Sequence, residues 1–96
     1  MDSTINLTVG QLVKSRAGRD NGVYFIVLDI VDKTHVHVVD GDVRKLDNPK
    51  LKKIKHLIVY NTVIPEFKYK LESIEKINDA YVRKILDSFK SESKSV

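Results

Sequence analysis

The chain contains no cysteine. That absence removes disulfides, thiolate chemistry and cysteine-based zinc sites, and it fits a reducing compartment such as the cytoplasm. Tryptophan is missing too, which leaves four tyrosines as the main near-ultraviolet chromophores. No apolar run approaches the roughly 18 residues that a membrane span requires, so no membrane partner is expected. Met1-Asp2-Ser3-Thr4 opens on an acid and no apolar stretch follows, so no secretory signal is expected. Without secretion, the acceptor triplet Asn6-Leu7-Thr8 has no glycan to carry. Catalytic signatures are lacking as well: there is no Ser-His-Asp pattern, phosphate-binding loop or dinucleotide fingerprint. Asp29, Asp32, Asp40 and Asp42 sit where turns need them. Neither an enzyme nor a cofactor is therefore expected.

What is present is a 96-residue chain with 42% hydrophobic and 31% charged residues. That balance is globular, and the length suits one small domain with a thin stability margin. The net charge is +4. Residues 1–70 carry 12 Lys/Arg against 8 Asp/Glu, whereas residues 71–96 carry 5 of each. All of the excess thus lies in the first part, which suggests a polyanionic partner there and a structural role for the remainder.

Leu7 to Val63 patterns as β-structure. Gln11–Ala17 alternates apolar and polar residues. The glycines and Asn21-Gly22 of the next segment suit a tight loop. Val23–Val31 is apolar on both faces apart from Asp29, so it predicts a strand covered on both sides. Thr34–Val39 predicts a third strand, with Val36 and Val38 on one face and His35 and His37 on the other. Asp40-Gly41 predicts a two-residue hairpin turn into a strand through Asp42–Leu46. Pro49 closes a second loop, and Ile54–Tyr60 predicts a fifth strand. Pro65 marks a change. Leu71, Ile74 and Ile77, then Tyr81, Val82, Ile85, Leu86 and Phe89 take helical spacing. Asn78 predicts an N-cap with Asp79 in the first turn. A helix is expected over Asp79–Phe89, preceded by a weaker helical segment. The expected organisation is a β-barrel over 1–64, a linker and helix packed on its outside over 65–90, and a frayed tail over 91–96.

Gly10–Asp29 resembles a KOW motif, in which a strand, a loop ending in a key glycine and a second strand follow one another. Gly22 matches the key glycine and Gly10 the one that opens the first strand. Val38-Val39-Asp40-Gly41-Asp42-Val43-Arg44-Lys45 resembles the KOW subgroup related to a large-subunit ribosomal protein of archaea and eukaryotes, which has short bacterial relatives. The resemblance covers roughly residues 7–60. It implies a small SH3-like barrel of about five strands with a C-terminal helix, and binding to RNA, ribosomal RNA in particular, with ribosomal proteins as possible neighbours. KOW domains also bind proteins, so a protein-interaction module in a transcription or translation complex is the alternative.

RNA binding needs cations that reach phosphates and flat groups that stack on bases. Arg44, Lys45, Lys50, Lys52, Lys53 and Lys55 face one acid, Asp47, between Arg44 and His56. The plainer reading of such a run is a solvated face. Lys14, Arg16, Arg19 and Asn21 form a second candidate around the first loop, and the resemblance points there too. Its plainer reading is a hairpin loop in which Arg19 and Asp20 neutralise each other. Reversing Lys50, Lys52 and Lys53 to Glu is expected to abolish RNA binding with the fold intact. Tyr24 either stacks on a base or packs under the helix. Phe67-Lys68-Tyr69-Lys70 either forms a stacking strip or staples the linker to the barrel. His35 and His37 share a strand face, but two histidines without a completing acid are too few for a metal site.

Overall fold

The computed structural model describes residues 4–72 and 77–94. Five strands form one antiparallel sheet in the order β4-β3-β2-β1-β5. They are β1 (Gln11–Ser15), β2 (Tyr24–Ile30), β3 (His35–Val39), β4 (Lys50–Lys53) and β5 (Leu57–Val63). The two edge strands, β4 and β5, follow one another in sequence through a single 3₁₀ turn, Ile54–His56. The sheet must therefore curl until its edges approach. Irregularities between Gln11 and Val13, and between Val27 and Asp29, accompany this curl. Such bulges raise local twist and let a small sheet close. The expected mainly-β, barrel-like fold with a C-terminal helix is what the chain adopts.

Alternation along β2 explains its doubly apolar character. Phe25 and Val27 point inward, where they meet Leu7, Val13, Val36, Val38, Ile54 and Leu57. Ile26 points outward and packs with Leu12, Val39, Phe67, Val82 and Leu86. The outer cluster exists because two helices cover it. Helix α1 (Pro65–Glu72) begins with proline at its first position, where the missing N–H costs nothing. Its Phe67 is fully buried and stacks on Tyr81, with ring centroids 6.5 Å apart. Of the Phe67–Lys70 strip, Phe67 is therefore the staple, while Tyr69 is exposed. Helix α2 (Asp79–Lys94) is capped as its sequence predicts: Asn78 Oδ1 accepts the Tyr81 N–H at 2.8 Å. Its Val82 and Leu86 are buried against the barrel. Tyr24 faces outward but lies beneath Phe89, 5.5 Å between centroids, with Tyr60 completing the cluster. It packs under the helix, as the second of its two expected roles required.

Several boundaries differ from expectation. No strand covers Asp42–Leu46; β4 starts at Lys50, and residues 40–49 form a folded loop. The reason is local. Asp40 Oδ1 accepts the N–H groups of Asp42 and Arg44, and the Arg44 carbonyl accepts those of Asp40 and Gly41. These bonds take the groups a ladder would have used. Leu46 N–H instead donates to Asp79 Oδ1, which ties the loop to the start of α2. The expected β1 end at Ala17 moves back to Ser15, because Gly18–Asp20 turns into a 3₁₀ helix. The expected start of β5 at Ile54 moves to Leu57. Helix α2 continues past Phe89 to Lys94, into the segment expected to fray. Ile74 of the expected apolar stripe, and residues 95–96 of the expected tail, lie outside the described residues.

A candidate nucleic-acid interface

Asp20 organises the basic residues. It ends the 3₁₀ helix of the β1–β2 loop, and its side chain is only 12% exposed. One carboxylate oxygen, Oδ2, faces two cations: Arg44 Nη2 at 3.4 Å and Lys52 Nζ at 3.5 Å. Lys52 Nζ also donates to the Ala17 carbonyl at 3.4 Å. A second latch holds the same loop. Arg16 forks onto the Lys55 carbonyl through Nε at 3.0 Å and Nη2 at 2.8 Å, and its backbone N–H donates to the His56 carbonyl. The loop over residues 16–22, the loop over residues 40–49 and the β4–β5 corner are thereby pinned together. The two basic regions, distant in sequence, become one rim.

The expected site residues divide by what their side chains already hold. Arg44 and Lys52 are committed to Asp20. Lys52 is buried, so it is not the exposed phosphate contact the sequence suggested. Its burial follows from register: it pairs with Val36, whose side chain points into the barrel. Asp20 is neutralised by these two distant residues and not by Arg19 beside it. Arg16 spends its guanidinium on Lys55. Lys14 holds its ammonium 5.0 Å from the centre of the Tyr24 ring. Such a contact keeps the charge exposed and anchors the stem. Arg19, Asn21, Lys45, Lys53 and Lys55 are exposed, and Lys50 is half-buried. None of these six makes a side-chain hydrogen bond or ion pair with another described residue. They are the groups available to an anionic surface.

The histidines have roles the sequence did not suggest. His37 Nδ1 lies 2.8 Å from Asp29 Oδ1, and His35 Nδ1 lies 3.1 Å from Asp32 Oδ1 and 2.8 Å from Thr34 Oγ1. Asp32 closes the β2–β3 turn by accepting the N–H groups of Thr34 and His35, both at 2.8 Å. The Thr34 N–H above all, then the His35 ring, holds the Asp32 carboxyl down at about 2, from an ordinary value of 3.8. A depressed pKa means that the interaction stabilises the fold above the ordinary carboxyl range and is lost as pH falls through about 2. The Asp32 carboxyl ¹³C resonance is expected to titrate with a midpoint near 2, and His35→Ala is expected to raise that midpoint. A midpoint near 4 in the native chain would show that the turn does not bind the carboxylate as described. Among the described residues, no three His, Asp or Glu side chains converge as metal ligands, and no helix is long and apolar enough to cross a membrane.

The fold and the rim together define a class: a small barrel whose one corner gathers cations from three separate chain segments. No family model matches the chain. One relative is similar over most of its length. It is a Bacillus subtilis (strain 168) chain named "Putative ribosome-binding protein YbzG", 26% identical over 73 residues, spanning 76% of this chain and 99% of the relative.

Proposed function

We propose that the chain is a non-catalytic RNA-binding protein of the KOW type that associates with ribosomal RNA in the cytoplasm through its cationic rim. One observation carries the reading. The β1–β2 loop and the segment from Arg44 to Lys55 are latched together, and on these adjoining segments Arg19, Lys45, Lys50, Lys53 and Lys55 hold no internal side-chain partner among the described residues. Several cations on adjoining segments, with long flexible stems, suit a phosphate backbone better than any small anion. The similarity to a chain named for ribosome binding supports the ribosomal assignment. The motif-like stretch from Gly10 to Asp29 supports the KOW assignment, since Gly22 adopts the positive φ of 88° that a glycine at the end of that loop allows.

If about four phosphates are neutralised, log K for RNA should fall with a slope of roughly −3 to −4 against log[salt]. The variant that tests the rim is Lys45→Glu, Lys50→Glu and Lys53→Glu combined. Lys52 is left alone, because a glutamate there would face Asp20 in a buried site and damage the fold. The triple variant is expected to bind RNA at least about tenfold more weakly at physiological salt and to show a flatter salt slope. Crosslinking in cells, followed by sequencing of the attached RNA, is expected to recover one region of ribosomal RNA. A salt-insensitive interaction unaltered by the triple variant would point instead to a protein-docking module.

A further inference from the structure

We propose that the cleft between the start of β3 and the β4–β5 turn receives a single unpaired nucleotide of the bound RNA, with its base against the His35 ring. This rests on the RNA reading above and adds a position at which that RNA must be unpaired. The cleft has a volume of about 260 Å³ and is lined by Thr34, His35, Lys53, Ile54 and Lys55.

The sequence builds this cleft from two segments. His35 and Lys53 are directly opposed across the β3–β4 pair, so their side chains leave the sheet on the same face. The chain then enters the 3₁₀ turn, and the Ile54 N–H donates to the Thr34 carbonyl at 2.8 Å. That bond pins the turn to the mouth of β3. Ile54 is buried and supplies an apolar base, while Lys53 and Lys55 are exposed and charged. Because Lys55 is the residue whose carbonyl Arg16 holds, the cleft is continuous with the cationic rim.

His35 is held ready. Its Nδ1 edge is engaged by Asp32 and Thr34, and its side chain keeps 27% exposure. A ring fixed at one edge offers its face without a further loss of rotamer freedom. Proteins read unpaired RNA by stacking splayed bases on aromatic rings, histidine included, while cations take the flanking phosphates. An apolar-floored space of this size with two ammonium groups fits a nucleoside and its phosphate. A base inside a duplex would first have to unpair and unstack to enter the cleft, which disfavours a fully paired RNA there. The two lysines also favour an anionic occupant over a neutral aromatic side chain from another protein.

Two short blunt RNA duplexes of the same stem provide the test, one fully paired and one carrying a single bulged adenosine. Fluorescence anisotropy is expected to show the native chain preferring the bulged duplex about tenfold, the size of one base–aromatic stack. His35→Ala should erase that preference while keeping the affinity for the paired duplex. His35→Phe, which restores a ring without the hydrogen bonds, should retain most of it. Should His35→Ala unfold, the ring resonances of native His35 decide: they are expected to shift upfield with the bulged duplex and not with the paired one. Equal binding of both duplexes, or a preference that survives His35→Ala, would overturn the cleft while leaving the rim in place. Binding of neither duplex would overturn the RNA reading and the cleft with it.

Discussion

Asp20→Ala is expected to lower the unfolding free energy by about 3 kcal/mol. Asp20 has 12% of its side chain exposed and Lys52 has 9%, so both charges have left water. Removing the carboxylate leaves an ammonium in the barrel wall whose one remaining partner among the described residues is the Ala17 carbonyl. The loss of one partner from a buried pair costs more than the pair itself is worth, because the survivor stays desolvated. Arg44 moderates the effect: its side chain is 27% exposed and can turn to solvent. Its Nε is buried with no hydrogen-bond partner among the described residues, which lowers the cost of that turn. The asymmetry is the sharper test. Lys52→Met keeps the Asp20–Arg44 pair and is expected to cost about 1 kcal/mol, and Asp20→Ala combined with Lys52→Met less than the sum of the two. Urea unfolding of the four chains measures all three quantities, with an unchanged slope as the control for two-state behaviour. Additive losses would mean that Asp20 and Lys52 do not interact. On the proposed function, Asp20→Ala also frees the Arg44 guanidinium, so its salt slope for RNA should steepen even as the fold weakens.

The fold was legible wherever the signal is local or periodic. The doubly apolar run Val23–Val31 demanded a cover on each face, and the helical stripe through Val82 and Leu86 demanded a surface; each is the other's answer. Asn78 announced the start of α2 by the chemistry of its side chain, which needs no tertiary information. The failure around Asp40 is equally physical. Asp-Gly ahead of alternating residues is a strong hairpin signal, but the same aspartate can bond the backbone two and four residues on. Here that choice wins, because Leu46 and Gly41 also bind α2. Periodicity cannot register a competition decided by a helix so much later in the chain.

The site was legible as composition and illegible as geometry. Charge counting marked Arg44 through Lys55 as basic, yet it could not tell Lys52 from Lys53. Strand register separates them: Lys52 pairs with Val36 and Lys53 with His35. One residue of offset thus decides whether a lysine holds the fold or faces solvent. The partnership of Asp20 with Arg44 and Lys52 has no sequence signal, because all three sit in ordinary polar surroundings along the chain. Along the chain His35 invites comparison only with His37, as one of two ligands too few for a metal site. Its proximity to Lys53 follows from the β3–β4 register, which no local pattern encodes.

Gly41→Ala is expected to destabilise the protein by about 3 kcal/mol, well beyond the effect of the same change at Gly22. Both glycines have positive φ, 77° and 88°, and an L-residue there costs about 1–2 kcal/mol by itself. Their surroundings separate them. A Cβ at Gly22 would meet nothing within 4 Å. A Cβ at Gly41 would collide with the Asp79 carbonyl and press on Arg83 Cγ and Val82 Cβ, each at 3.1 Å. The carbonyl is backbone in the first turn of α2, so relief requires the helix itself to move. Movement would strain the bond from Arg83 Nη1 to the Gly41 carbonyl, 2.6 Å in the native fold, and lift Val82 and Leu86 from Ile26 and Val39. Overpacking of this kind adds about 1–3 kcal/mol to the backbone strain. Thermal unfolding of Gly22→Ala and Gly41→Ala beside the native chain gives the comparison. The near-ultraviolet circular dichroism of the Tyr24–Tyr60–Phe89 cluster, which α2 completes, should weaken in Gly41→Ala alone. Equal losses at the two positions would mean that φ strain is the whole cost and that Gly41 does not set the approach of the helix.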